Sequence, residues 1–183
     1  MMLEQIHREH GYMVRLLAIL KKKCHSINAE EAVNFTLIKE IVEYLSSHSE
    51  KVHHPKEDIL YRYFVEHYPA SNQIKNLEAE HIKLSQDTSE FLLTVEMILQ
   101  DAVVPLEIFA EKLQSFIVAQ REHLDLEEKE ILPLIKQTFT TEDWQQVEKL
   151  WDHSEDDPVF GETIADQYKQ LAQRVRQTEA EVI

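Results

Sequence analysis

An all-α fold, an antiparallel up-down four-helix bundle with one or two extra C-terminal helices, is predicted from three features of the sequence. Only two glycines and five prolines occur in 183 residues, which favours long helices over strands joined by tight turns. Apolar residues recur every three to four positions along four long segments, the spacing of one buried helical face. Connections of about ten residues or fewer between these segments favour antiparallel neighbours.

The first two helices are predicted from this spacing and from capping residues. The first helix carries apolar residues from Leu3 to Leu20, with His10 on the same face. The second is predicted to begin near Asn28, whose side chain suits an N-cap, and to end before Pro69.

Pro55 interrupts the second helix. Its ring clashes with the carbonyl of residue 51 and it has no N–H to donate, so a kink or break is expected beside His53 and His54. A helix that restarted at Pro55 would change the direction of the His53 side chain.

The third and fourth helices have clear start signals. The third is predicted to begin after Ser71 or Asn72 and to carry His81 among its apolar residues. Pro105 suits the first turn of the fourth helix, which has His123 on its inner face.

Residues 1–138 are predicted to form the bundle, and residues 139–183 a helical extension. Thr140 or Thr141 caps a short helix, the Asp-Asp-Pro sequence at 156–158 breaks the chain, and a last helix reaches about Glu179. We expect this extension to pack on the bundle or to form a dimer contact.

Composition excludes several classes of partner. The formal charge is −15, from 19 basic and 34 acidic residues, so the surface repels nucleic acids and anionic lipids. No apolar run is long enough to span a membrane. A single cysteine, Cys24, cannot form an internal disulfide, which agrees with a reducing, cytoplasmic location.

Two histidines are each followed by a glutamate four residues later. His53 with Glu57, and His123 with Glu127, place an imidazole and a carboxylate one turn apart on one helical face. The spacing alone is weak, because acids are abundant. His54 with Asp58 has the same spacing and is an alternative to the first pair.

The order of these residues forms a two-fold pseudo-repeat. His10 and His53 are 43 residues apart, and His81 and His123 are 42 apart. Antiparallel helices can bring both pairs together with Glu57 and Glu127. Uncompensated burial of such polar groups is unfavourable, and coordination of a metal would satisfy all of them.

The donor set indicates the metal. Imidazole and carboxylate ligands suit iron, manganese or zinc better than calcium or magnesium. Two carboxylates can bridge two cations roughly 3.5 to 4 Å apart. We therefore expect two iron ions with two histidines each.

Four motifs in order resemble the hemerythrin-like, or HHE cation-binding, family. Glu9-His10 and Glu80-His81 match its shorter motif. The longer motif is matched by HHPKED at 53–58 and HLDLEEKEILP at 123–133. The resemblance covers residues 1 to about 138.

The resemblance implies a di-iron centre with an oxo or hydroxo bridge. Four histidines would be terminal iron ligands and two glutamates would be bridging carboxylates: His10, His53, His81, His123, Glu57 and Glu127. Oxygen-carrying members have a fifth histidine four residues after the third-helix histidine. Ser85 occupies that position here, which argues against reversible oxygen carriage.

Three functions are compatible with these residues. The first is a non-haem di-iron protein that binds or senses iron or a small diatomic ligand, dioxygen or nitric oxide. Such a protein could form a homodimer. The alternative is a di-iron enzyme: a peroxidase, a ferroxidase or an iron-sulfur cluster repair protein. The third is a structural bundle whose extension recruits a partner.

Overall fold

Four helical rods form the bundle. The computed structural model describes residues 2–69, 72–151, 157–160 and 166–180, and these ranges contain helices and no strand. The first rod is α1 and the third is α4, while the second and fourth rods each contain a π-helical segment between two α-helices. The first rod, α1, is Met2–Asn28, and the third, α4, is Asn72–Leu99. The second rod consists of α2 (Phe35–Tyr44), the first π segment (Leu45–His53) and α3 (His54–His67). The fourth rod consists of α5 (Leu106–Leu126), the second π segment (Glu127–Ile131) and α6 (Leu132–Thr138).

The predicted N-cap at Asn28 is wrong. Ile27 is buried, and α1 continues through Asn28 before the chain turns at Glu30, whose backbone φ is 57°. The second rod is capped instead by Asn34, which accepts a hydrogen bond of 3.0 Å from the N–H of Leu37. Both asparagines can cap a helix. Burial of the last turn of α1 decides between them.

The break expected at Pro55 does not occur. The backbone stays helical through His53 and His54, and Pro55 lies in the first turn of α3, where its missing N–H is tolerated. The turn before it is a wider π-helical turn, in which the N–H of His54 bonds to the carbonyl of Ser49. The fourth rod repeats this arrangement before Pro133. Such π turns are frequent at functional sites.

Two apolar clusters fill the bundle, one towards each end. The first includes Leu16, Ile38 and Phe109, and the second includes Ile6 and Leu77. On α1 the polar pair Glu9 and His10 lies between residues of the two clusters. A buried polar layer therefore crosses the bundle between two apolar cores.

Two further helix starts agree closely with the sequence. Pro105 directly precedes α5 and is its N-cap residue, one position earlier than predicted. Thr140 caps α7 (Thr141–Leu150) through a capping box with Asp143.

The C-terminal part of the chain packs on the first two rods. The hydroxyl of Tyr44 donates a hydrogen bond of 2.6 Å to Asp157. Arg174 in α8 (Lys169–Ala180) pairs with Glu40 at 3.0 Å. The predicted break at 156–158 lies partly outside the described residues. The division into bundle and extension remains a prediction.

Among the described helices, none has both the length and the apolarity needed to cross a bilayer.

Candidate metal centre

All six predicted ligands lie in the polar layer. α1 carries His10, the second rod carries His53 and Glu57, α4 carries His81, and the fourth rod carries the rest. Each residue is at most 6% exposed, and the two glutamates are fully buried: His10, His53, Glu57, His81, His123 and Glu127. The structure therefore brings the predicted set together, and the role of these residues as ligands stays a prediction.

Glu57 lies at the centre of the group. Its Oε1 is 2.9 Å from Nε2 of His10 and 3.3 Å from Nε2 of His53. Its Oε2 is 3.6 Å from Nε2 of His81. One carboxylate thus contacts histidines from both halves of the pseudo-repeat.

Glu127 has the same arrangement. Its Oε1 lies 3.3 Å from Nε2 of His123 and 3.4 Å from Nε2 of His81. Its Oε2 lies 3.5 Å from Nε2 of His10. The four histidines therefore direct their Nε2 atoms towards the two carboxylates.

The opposite ring nitrogen, Nδ1, of these histidines faces an outer carboxylate. Within each half, the acid that precedes the first histidine contacts the second histidine, with Glu9 2.6 Å from His53 and Glu80 3.6 Å from His123. Between the halves, the acid after the central glutamate contacts the first histidine of the other half. These contacts are 2.7 Å from Glu128 to His10 and 2.9 Å from Asp58 to His81. Such partners fix the tautomer and orientation of metal-binding histidines.

Several buried atoms of the group lack hydrogen-bond partners. Among the described residues, Nε2 of His53 and of His123 and Oε2 of Glu57 and of Glu127 form no hydrogen bond. Unsatisfied buried polar atoms are rare and destabilising. A pair of cations coordinated by these atoms would satisfy them, so the residues present fit a dinuclear metal centre.

His54 joins the group in addition to His53. The His53 ring lies 4.7 Å from that of His10, whereas the His54 ring stacks on His81 with centroids 4.1 Å apart. Burial, and then the charge of His81, lowers the pKa of His54 well below its usual value, so its ring is neutral. Asp58 contacts His81, so it does not take the place of Glu57.

The donor atoms form two overlapping groups that could each hold one ion. In each group the ligand atoms lie within 4.8 Å of one another. One group is His10, His53 and Glu57, and the other is His54, Glu57, His81 and His123. Glu57 is common to both, which is the arrangement expected of a carboxylate between two cations.

Protons occupy the group when no metal is bound. Burial disfavours charge on His10, but hydrogen bonds with Glu128 and Glu57 outweigh it and raise the pKa of His10 to about 10. Burial acts likewise on His81, whose contacts with Asp58 and Glu127 raise its pKa to about 10. Both rings are therefore charged at neutral pH and partly neutralise the two central glutamates.

The family comparison agrees with this geometry. A family model described as the hemerythrin HHE cation binding domain matches residues 1–135. The chain belongs to the hemerythrin HHE family. It is accordingly a cation-binding protein, and the predicted family is confirmed. A comparison with curated proteins finds no significant match.

The structure adds contacts at three residues around the ligands of this HHE domain. The sequence offers His54 as an alternative to His53 or as a residue that supports the ligands, and the structure places both histidines in the group. Lys56 is 3% exposed, and its Nζ lies 2.6 Å from Oε1 of Glu9. The hydroxyl of Tyr61 donates a hydrogen bond of 2.6 Å to Glu127. The only sequence signal for the outer carboxylates is an acid after each central glutamate, at Asp58 and Glu128.

Replacing the outer carboxylate Glu128 is expected to weaken metal binding. Glu128→Gln removes the charge that holds His10 and should lower affinity about 10- to 100-fold. Competition with a chromophoric chelator measures this. Glu122→Gln, an exposed position on the same rod, is the control and should bind as the wild type does. Equal affinity of both variants would contradict a positioning role for Glu128.

Metal affinity is expected to increase with pH. His10 and His81 must each lose a proton before Nε2 can bind a metal, and both pKa values are about 10. Between pH 7 and 9 the logarithm of the overall affinity for two ions should therefore rise by about 2 per pH unit.

The stability of the metal-free protein is expected to change with pH in the opposite direction. The raised pKa values contribute stability that is complete below pH 6.5 and is lost as the pH rises through about 10.

Chelator competition at several pH values measures the first effect. Urea unfolding of the metal-free protein measures the second. An affinity that does not change with pH would show that His10 and His81 are not protonated before the metal binds.

Proposed function

We propose that this HHE protein is a non-haem di-iron protein that binds or senses a small ligand, dioxygen or nitric oxide, or iron itself. The observation that carries the proposal is the pair of histidine groups that share Glu57. In the proposed centre, His10 and His53 hold one ion, and His54, His81 and His123 hold the other. Glu57 and Glu127 lie between the two sets of histidines.

Iron is proposed because of the donor set. Neutral imidazoles with carboxylates suit iron, and the absence of cysteine from both groups argues against a thiolate site. Two iron ions held in this way supply reversible redox chemistry and coordination positions for a small exogenous ligand. The protein's own contribution is to fix the ligand orientations through the outer carboxylates and to bury the centre between two apolar clusters.

Anaerobic reconstitution with ferrous salt tests this function. We expect two irons per chain after desalting, and a visible spectrum that changes on exposure to dioxygen or nitric oxide; with nitric oxide it should return when the gas is removed. A chain that retains no iron would contradict the proposal. It would favour the third interpretation, a purely structural bundle.

A di-iron enzyme is a second candidate because of Tyr61. This phenol is 1% exposed and bonds to Glu127, so it can supply a proton and an electron next to the centre. Peroxidase, ferroxidase and iron-sulfur repair functions all require electron transfer at the centre. In an enzyme, the spectrum should decay with peroxide turnover, and Tyr61→Phe should slow the decay. In a binding protein the same variant should leave a reversible spectrum unchanged.

A further inference from the structure

A pocket of about 490 Å³ lies between α3 and α4, beside the candidate metal centre. Its outer wall includes the side chains of Arg62 and Glu78, which are 63% and 41% exposed. Its inner wall includes His54 and His81, which belong to one of the two ligand groups. The walls of the pocket therefore extend from solvent to the ligands.

His54 lies on the inner wall of this pocket, next to His81. The residue is 8% exposed, and its ring stacks on that of His81 with centroids 4.1 Å apart. It is also a member of the ligand group that contains His81. An imidazole in this position is a suitable ligand for a metal ion that arrives from the pocket.

The side chain of Arg62 places a positive charge at the mouth of the pocket. The guanidinium of Arg62 lies between two carboxylates, bonded to Glu78 through Nε and 3.9 Å from Asp58. Asp58 also contacts His81, so it links the mouth to the ligand group. The charged groups of the pocket balance, because Asp58 and Glu78 face Arg62 and the charged ring of His81, so the two carboxylates attract a divalent cation as Arg62 moves away from them.

A metal ion needs a polar route, whereas a neutral diatomic gas does not. Transfer of an unpaired charge through an apolar core is strongly unfavourable, and apolar clusters lie on both sides of the polar layer. Behind His53, the carboxylate of Glu9 is 4% exposed and is bound by the ammonium of Lys56. That cation repels an approaching metal ion. The polarity of the pocket between α3 and α4 thus favours ion entry over gas entry.

We propose that this pocket is the port through which divalent metal ions enter the centre. Glu78 and Asp58 capture the ion at the mouth in exchange for Arg62, and His54 passes it to His81. This inference rests on the proposed metal function, and it adds a route that metal binding alone does not require.

Cobalt uptake by the metal-free protein tests the port. Co²⁺ is added in a stopped-flow instrument and its visible absorption is followed. Ser85→Trp places a bulky side chain in the pocket wall. Ser115→Trp is the matched control, because Ser115 lines a groove of the same volume, about 490 Å³, between α4 and α5. We expect Ser85→Trp to slow uptake, because an indole in the pocket wall narrows the route from the mouth to His81. Ser115→Trp should keep the wild-type rate.

Two charge variants keep the test valid if Ser85→Trp does not fold. Glu78→Gln should slow uptake and weaken its dependence on salt, whereas Arg62→Gln should accelerate uptake. Neither residue is in a ligand group, so both variants should reach the same final cobalt content as the wild type.

Equal uptake rates in the wild type and in the folded port variants would overturn the port while leaving the metal function intact. A wild-type protein that takes up no cobalt would overturn both. The two failures are therefore distinguishable.

Discussion

Glu57→Gln is expected to abolish binding of both metal ions. Glu57 is the residue common to the two ligand groups, and it contacts His10, His53 and His81. A glutamine of the same shape has no negative charge and offers one oxygen instead of two. The loss of affinity should exceed about 100-fold, the upper range for residues that only support a ligand.

Metal content after desalting, together with chelator competition, measures this effect. Glu66→Gln, an exposed position on the same helix, should retain two ions. His10→Ala is a second comparison and should retain one ion, because His54, His81 and His123 form the other group. A Glu57→Gln protein that keeps either ion at wild-type affinity would show that the carboxylate is not shared.

Lys56→Ala is expected to destabilise the metal-free protein by about 3 to 5 kcal/mol, the range for removal of one partner from a buried ion pair. Lys56 and Glu9 are 3% and 4% exposed, and their charged atoms are 2.6 Å apart. Burial raises the pKa of Glu9, but contacts with His53 and Lys56 outweigh it and lower the pKa to about 2. Without Lys56, the Glu9 carboxylate remains buried with less compensation.

Urea unfolding measures this loss. Lys51→Ala, an exposed position on the first π segment, should change the free energy of unfolding by less than about 0.5 kcal/mol. A loss below about 1 kcal/mol for Lys56→Ala would contradict the burial of a charged pair behind His53.

Much of the fold could be predicted because helical periodicity extends over long segments. The buried residues of α1 and α4, including Met13, Leu17 and Phe91, follow that period. Asn28 was misassigned because two asparagines close together can both cap a helix. The π segments could not be predicted, since the spacing of apolar residues does not reveal which carbonyl accepts each hydrogen bond.

The gathering of the six predicted ligands in one layer was predictable because the two halves of the chain repeat the same order of residues. His54 was harder, because consecutive residues of a helix point about 100° apart and were expected to compete for one place. Both can contribute, since the centre extends from α1, where His10 lies, to α4, where His81 lies. The burial of Lys56 could not be predicted, because a lysine in a polar segment is normally exposed.

Crystals of the iron-loaded protein, with anomalous diffraction recorded at the iron edge, test the central claim most directly. We predict two iron peaks per chain, one bounded by His10, His53 and Glu57 and the other by His54, His81, His123 and Glu57. One peak, or peaks only at exposed carboxylates on the surface, would contradict the account.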